Sequence, residues 1–306
     1  MVGAVGSTAI GLLLVVLAAL HVRNAPMPFS RGEPTLLVAV ALLFLVAFLL
    51  KACGWGRLFA ARERPGPMAL AAAGGGASVM GIVLPGRFDE VIRITIVRRF
   101  PGCPAGIRSI CLSLVTLGLI DSAALAPLGF TAAAWPGNSA AVRFGFAVVG
   151  IGGVLAAAIV IALPFVAASP RLMQFRLGQW LAPRATPPRR AIESWALVSA
   201  SWLMRGVALT FLLAALGLGF DFPLAMMFLC AAAAAAALPI SPAGAATQVG
   251  AGAALLIVSG IARPEAVGFA LAAQTLLILA GAGALFLSVM WATSRRIAVV
   301  VAPRLR

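Results

Sequence analysis

The sequence has no tyrosine, one lysine, one histidine and only eight acidic residues among 306, and each shortage closes off a kind of chemistry. The single histidine, His21, stands at the end of an apolar run, so neither an HExxH metal site nor a buried Ser-His-Asp arrangement can be assembled. The single lysine, Lys51, is preceded by "LVAFLL" instead of a glycine-rich loop, which rules out ATP hydrolysis through a P-loop. The four cysteines, Cys53, Cys103, Cys111 and Cys230, form no CxxC pair and lie in or beside apolar stretches, where they read as small buried hydrophobes. The longest polar run, 170–193, is too short for a soluble catalytic domain. The expectation is a protein with no catalytic residues, no metal and no cofactor: not an enzyme.

What is abundant is apolar side chain. Hydrophobic residues make up 62% of the chain and charged residues 10%, with a mean hydropathy of +1.09, the composition of an integral membrane protein. The runs are long, rich in Ala, Leu and Gly, and lack period-2 alternation, so spanning helices are expected and a barrel is not. The net charge of +15 and pI near 11.8 come from basic residues in short loops between apolar runs. They read as topology signals and contacts to anionic membrane lipids, with no nucleic acid as partner.

Apolar segments fall near 4–21, 35–50, 68–86, 109–130, 142–168, 194–218, 222–239, 247–262 and 264–291. The first has no Lys or Arg ahead of it, so a retained helix is favoured over a cleaved signal peptide. Basic residues mark 51–64 (Lys51, Arg57, Arg62, Arg64), 169–193 and the tail 295–306 as cytoplasmic, and by the same rule 87–108 as well. If 51–64 and 87–108 share a side, the apolar stretch between them cannot cross once; it must enter and return, with Gly74-Gly75-Gly76 as a place for the reversal. Residues 222–239 and 247–262, joined through "LPISPAG", read as a second hairpin entering from the opposite face.

The expected fold is therefore an all-α polytopic bundle of about six full spans plus two re-entrant helical hairpins of opposite orientation, within one membrane domain covering 1–306. Its first half is 1–168 with a hairpin near 68–86, and its second is 194–294 with a hairpin near 222–262. The expected location is the cytoplasmic (inner) membrane. Both hairpins contain a small-residue helix running into Leu-Pro and then Gly. Broken segments at corresponding places in two halves point to a midplane site in inverted-repeat transporters, although two proline-kinked helices packed through small residues give the same pattern.

Ionisable groups at membrane depth are expensive and face a cavity or a partner. Asp121, in "LGLIDSAALAPL", and Arg205, in "ASWLMRGVAL", qualify, either as a structural ion pair between two helices or as a contact for a headgroup or proton. In "LPGRFDEVIRITIVRR", Asp89 and Glu90 stand four and three residues before Arg93, so they can pair on one helical face while Phe88, Val91, Ile92 and Ile96 supply apolar surface. That segment is either an amphipathic interfacial helix or the mouth of a groove where Arg87 and Arg93 meet phosphate oxygens.

These residues carry a resemblance. The chain resembles the flippase-like transmembrane domain of the lysylphosphatidylglycerol synthase family over roughly 35–291. The family's first motif is similar to "LPGRFDEVIR", with Pro85, Glu90 and Arg93 matching and Asp89 where Gly is usual. Its second resembles "LPISPAGAATQVG", which keeps Pro239, Pro242 and Gly244. Asp121 matches a third acidic position. Departures are Ala243 for a glycine, Gln248-Val249 where the family tends to carry Glu, Leu117-Gly118 for Glu-Arg, and Gln274 where Arg is common. No synthase domain accompanies the motifs in these residues, so aminoacyl transfer to lipid is not expected.

The resemblance implies translocation of a lipid or lipid-linked headgroup. The path expected from residues and resemblance together runs along Pro85, Arg87, Glu90, Arg93, Asp121, Arg205, Pro239, Ser241, Pro242, Gly244, Gln248 and Gln274. Two other expectations fit the sequence: a small-solute secondary transporter, and a non-transporting membrane partner of a separate lipid- or glycan-modifying enzyme.

Overall fold

A computed structural model describes residues 33–80, 88–237 and 245–301. Among them are eleven helices and one short 3-10 turn. Five helices are long and apolar enough to cross a membrane: α1 (Pro34–Arg57), α4 (Ile107–Ala134), α5 (Ala140–Ala167), α8 (Pro188–Ala215) and α11 (Arg263–Val301). These are five of the six expected spans; the segment at 4–21 lies outside the described residues. Between them come α2 (Pro67–Met80), α3 (Phe88–Arg99), the short α6 (Pro170–Met173) and α7 (Arg176–Leu181), then α9 (Phe222–Ala237) and α10 (Ala245–Val258). The protein is a polytopic helical membrane protein.

Proline sets two of the spanning helices going. Pro34 and Pro188 sit in the first turns of α1 and α8, where a missing N–H costs nothing and the fixed φ suits the helix. Ser139 caps α5 by accepting from the Val142 amide at 3.4 Å. Beyond Arg143 in its first turn, the outward face of α5 is apolar, with Phe144, Val154, Leu155, Ile159 and Phe165 all exposed, as expected of a helix whose surroundings are hydrocarbon.

Small residues bring helix backbones together. A Cβ added at Gly129 of α4 would lie 2.8 Å from the Gly150 nitrogen of α5, and one added at Gly75 of α2 would overlap the Gly281 carbonyl of α11. Antiparallel α1 and α8 are joined by Ser201 Oγ donating to the Ala47 carbonyl at 2.8 Å, and by Gly54 against Val198. The core lies along α8, where Val198, Leu209, Leu212 and Leu213 are fully buried. Phe269 of α11 packs edge-on against Phe228 of α9, with ring centroids 5.0 Å apart.

The basic segments gather on one face. Arg184 Nη2 meets Glu63 Oε1 at 3.0 Å, Arg57 meets Glu193 at 3.4 Å, and Thr186 Oγ1 donates to the Leu58 carbonyl at 3.2 Å. Trp55 Nε1 donates to Ser113 Oγ at 2.9 Å, which puts the start of α4 beside the end of α1. The chain thus leaves α1 and enters α4 on the same face. The intervening α2 and α3 pack on each other, Ile92 and Ile96 lying against Gly76. A 14-residue helix rises only about 21 Å, short of a hydrocarbon core of about 30 Å. At the other end of the molecule, α9 and α10 form a second pair of short helices.

The structure corrects several boundaries. Gly74-Gly75-Gly76 makes no reversal: α2 runs unbroken through it to Met80, and the glycines serve close approach to α11 and α3 instead. The helix that packs on α2 is α3, at Phe88–Arg99, beyond the expected 68–86. Residues 188–193, expected in the basic loop, are already the first turns of α8, because Pro188 favours helix initiation there. The tail expected from 295 is helical to Val301, since nothing in "RRIAVVV" stops a helix.

Candidate functional site

Two spanning helices carry polar groups at their middles. Asp121 and Trp202 each stand at the centre of a 28-residue helix, α4 and α8 respectively. Their neighbour is Lys51, which does not lie in a basic loop: it stands inside α1, six residues before its end. Phe44, Phe48 and Trp55 are buried on α1 at spacings of four and seven, and Lys51 falls on that same stripe, turned toward the bundle.

Lys51 Nζ meets Asp121 Oδ2 at 2.7 Å, with both side chains about one-fifth exposed. Trp202 Nε1 donates to the other carboxylate oxygen at 3.2 Å. Arg205, one helical turn from Trp202, places its guanidinium 5.1 Å from the centre of the Trp202 ring and 5.6 Å from that of Phe48. The expected Asp121–Arg205 ion pair is thus replaced: Lys51 takes the carboxylate, and Arg205 rests on aromatic faces within electrostatic reach of it. Sequence reasoning missed Lys51 as a site residue. The available signal was the apolar "ACGW" that continues the helix after it.

Arg93 comes from α3. It pairs with Asp89, one turn earlier, at 3.4 Å and lies within electrostatic range of both Lys51 and Arg205. Three cationic side chains are thus drawn together against Asp89 and Asp121. The Nε atoms of Arg93 and Arg205 are buried and have no hydrogen-bond partner among the described residues. A buried guanidinium with an unused donor is costly, and a ligand bearing acceptor oxygens would relieve it.

Arg205 also opens onto a groove of about 70 Å³ between α1, α8, α9, α10 and α11. Its polar groups are those of Trp202, Arg205, Gln248 and Gln274; Phe44, Phe228 and alanines of α9 and α11 supply the apolar walls. The structure therefore brings Arg205, Gln248 and Gln274 into one groove, and Arg93 and Asp121 into the charged cluster behind it. Glu90 is on the exposed side of α3 and does not line this groove. Pro85, Arg87, Pro239, Ser241, Pro242 and Gly244 lie outside the described residues.

On the basic face, Glu63 is held below the usual carboxylate range by the Ser109 hydroxyl and by Arg184, which outweigh the opposing effect of its burial. Arg64 is lowered by burial and by the like charges of Arg190 and Arg57. No curated protein and no solved structure matched the chain. The model of one family, described as the lysylphosphatidylglycerol synthase TM region, matches residues 2–282. A match over nearly the whole sequence, joined to a bundle of apolar spans with charged residues at its centre, makes this chain a member of that family.

Proposed function

We propose that the protein carries the headgroup of a lipid, one bearing a phosphate or similar anion, across the cytoplasmic membrane, and performs no covalent chemistry. In this reading the basic face is cytoplasmic, the α2–α3 pair re-enters the membrane from it, and the α9–α10 pair re-enters from the opposite side. The observation that carries the proposal is the placing of Arg205, Gln248 and Gln274 on one groove, against a cluster where three cations outnumber two carboxylates. Acyl chains are at home in hydrocarbon but a charged headgroup is not. A groove with donors along it offers the headgroup hydrogen bonds while the tails stay in lipid. Asp121 keeps Lys51 from holding the anion too firmly, since a carrier must release what it binds.

The test is headgroup scrambling in proteoliposomes with fluorescent phosphatidylglycerol and phosphatidylcholine, comparing wild type with Arg205→Gln and Arg93→Ala. Loss of one charge-assisted contact, worth about 1.5 to 3 kcal/mol, should slow the anionic lipid by roughly ten- to a hundredfold. Unchanged rates in both folded variants would refute the site. No transport of any headgroup by folded wild type would favour a partner of a separate lipid- or glycan-modifying enzyme.

A further inference from the structure

The basic face holds a second collection of arginines that the translocation path does not use. Arg57, Arg64, Arg184, Arg189 and Arg190 come together there with two carboxylates, Glu63 and Glu193. Glu193 is shared between Arg57 and Arg189, at 3.4 Å from each, and Glu63 is occupied by Arg184 at 3.0 Å. Arg184 is satisfied further by the Trp180 carbonyl at 3.2 Å and by the Trp180 ring.

That leaves two guanidiniums with little to hold. Arg190 has one long bond, to the Phe59 carbonyl at 3.5 Å. Arg64, within electrostatic range of Arg57, Arg190 and Glu193, has a buried Nε with no hydrogen-bond partner among the described residues. Arg190 lines a cavity of about 200 Å³, walled also by Arg57, Arg184 and Thr186 and by the segment Leu58–Ala61.

The start of α8 adds to the excess. Its N-cap is Pro187, which offers no side-chain cap, and its first turn contains no acid but does contain Arg189 and Arg190. A helix N-terminus carries partial positive charge and favours anions. Here two cations stand where the helix dipole disfavours them, and one of them, Arg190, lines the cavity together with Arg57 and Arg184. The arrangement lacks negative charge, and planar guanidinium forks suit tetrahedral oxyanions better than spherical ions.

We infer that this cavity is a binding site for a phosphate-type anion, held by Arg57 and Arg190 with the first-turn amides of α8, and separate from the groove at the helix centres. The anion is either the headgroup phosphate of an anionic lipid in the adjacent leaflet or a soluble phosphate. Bound there, it ties the 3-10 turn after α1 to the start of α8 and stiffens the connection between the two halves of the chain.

The experiment follows the melting temperature of the purified protein by tryptophan fluorescence. One arm, in neutral detergent, titrates inorganic phosphate at constant ionic strength. The other compares nanodiscs of phosphatidylcholine with and without phosphatidylglycerol. The expected result is a saturable rise in melting temperature in at least one arm. It should persist in Arg205→Gln, weaken about tenfold in apparent affinity in Arg190→Gln and in Arg57→Gln, and fall between in Arg190→Lys, which keeps the charge but not the fork. A response to phosphate alone identifies a soluble anion, and a response to phosphatidylglycerol identifies a headgroup. No response in either arm overturns the inference. So does a response that survives both glutamine variants or is lost in Arg205→Gln. Since Arg190 makes a single long bond, its variants are expected to fold.

Discussion

Asp121→Asn removes the one carboxylate that faces Lys51 and Arg205 together. At 2.7 Å the Lys51–Asp121 attraction amounts to roughly 6 kcal/mol at an effective dielectric of 20, before desolvation of both ions offsets most of it. The pair is therefore worth little net, but breaking it from one side is expensive, because the surviving charge stays buried. The variant should lose about 3 to 5 kcal/mol, with Lys51, Arg93 and Arg205 left to repel one another. Lys51→Met should cost less, since Asp121 keeps the Trp202 N–H at 3.2 Å and the field of Arg205. The double variant Lys51→Met/Asp121→Asn should recover part of the loss, giving a coupling of at least about 2 kcal/mol in the cycle. Unfolding in micelles of graded sodium dodecyl sulfate measures all four proteins. Additive losses would refute the pairing. A folded double variant that scrambles lipid at the wild-type rate would make the pair purely structural.

Gly75→Leu should destabilise by about 1 to 3 kcal/mol by forcing α2 off the Gly281 backbone. Gly74→Ala, whose new methyl would meet only Phe48 at 3.7 Å, should be neutral or stabilising by up to about 1 kcal/mol. Trp202→Phe, which deletes the donor to Asp121 but keeps an aromatic face for Arg205, should cost about 1 to 2 kcal/mol by the same unfolding measurement. Glu63 is held below its ordinary value in the folded protein, so its contribution is fully present above about pH 4.5 and is lost as pH falls through the lowered value. Melting curves of wild type and Glu63→Gln should accordingly differ at neutral pH and converge under acid; a gap that persists in acid would rule out the carboxylate as its source.

The long spans were legible because lipid demands unbroken apolar helices, and five of them stand where the hydropathy placed them. That short helices would stand between the long spans was legible from the short apolar segments near 68–86, 222–239 and 247–262. The limits within the pairs were not. Glycine looks alike in sequence whether it turns the chain or lets two helices touch, and Gly75 does the second. Of the site, Arg205 was found because charged groups are rare in these helices, whereas Gln248 and Gln274 came through the family resemblance, as departures from its usual residues. Lys51 escaped because it stands close to Arg57, and a charge near a helix end resembles a loop marker. Only the buried stripe of Phe44, Phe48 and Trp55 gives its direction. Which cation would take Asp121 depended on the packing of α1, α4 and α8, which no local pattern encodes.

The position of Lys51 also orders events during synthesis. The ribosome makes it seventy residues before Asp121, which at about 5 to 20 residues per second is an interval of roughly 4 to 14 seconds. For that time Lys51 has no Asp121 to pair with. Lys51 lies about 9 Å along the helix from Arg57, so its side chain can stretch to the interface and wait there. The pairing with Asp121 at 2.7 Å becomes possible only once α4 has been made. A nascent chain stalled before Asp121 should therefore leave the Lys51 amine open to water-borne reagents, and one released after α4 has inserted should not.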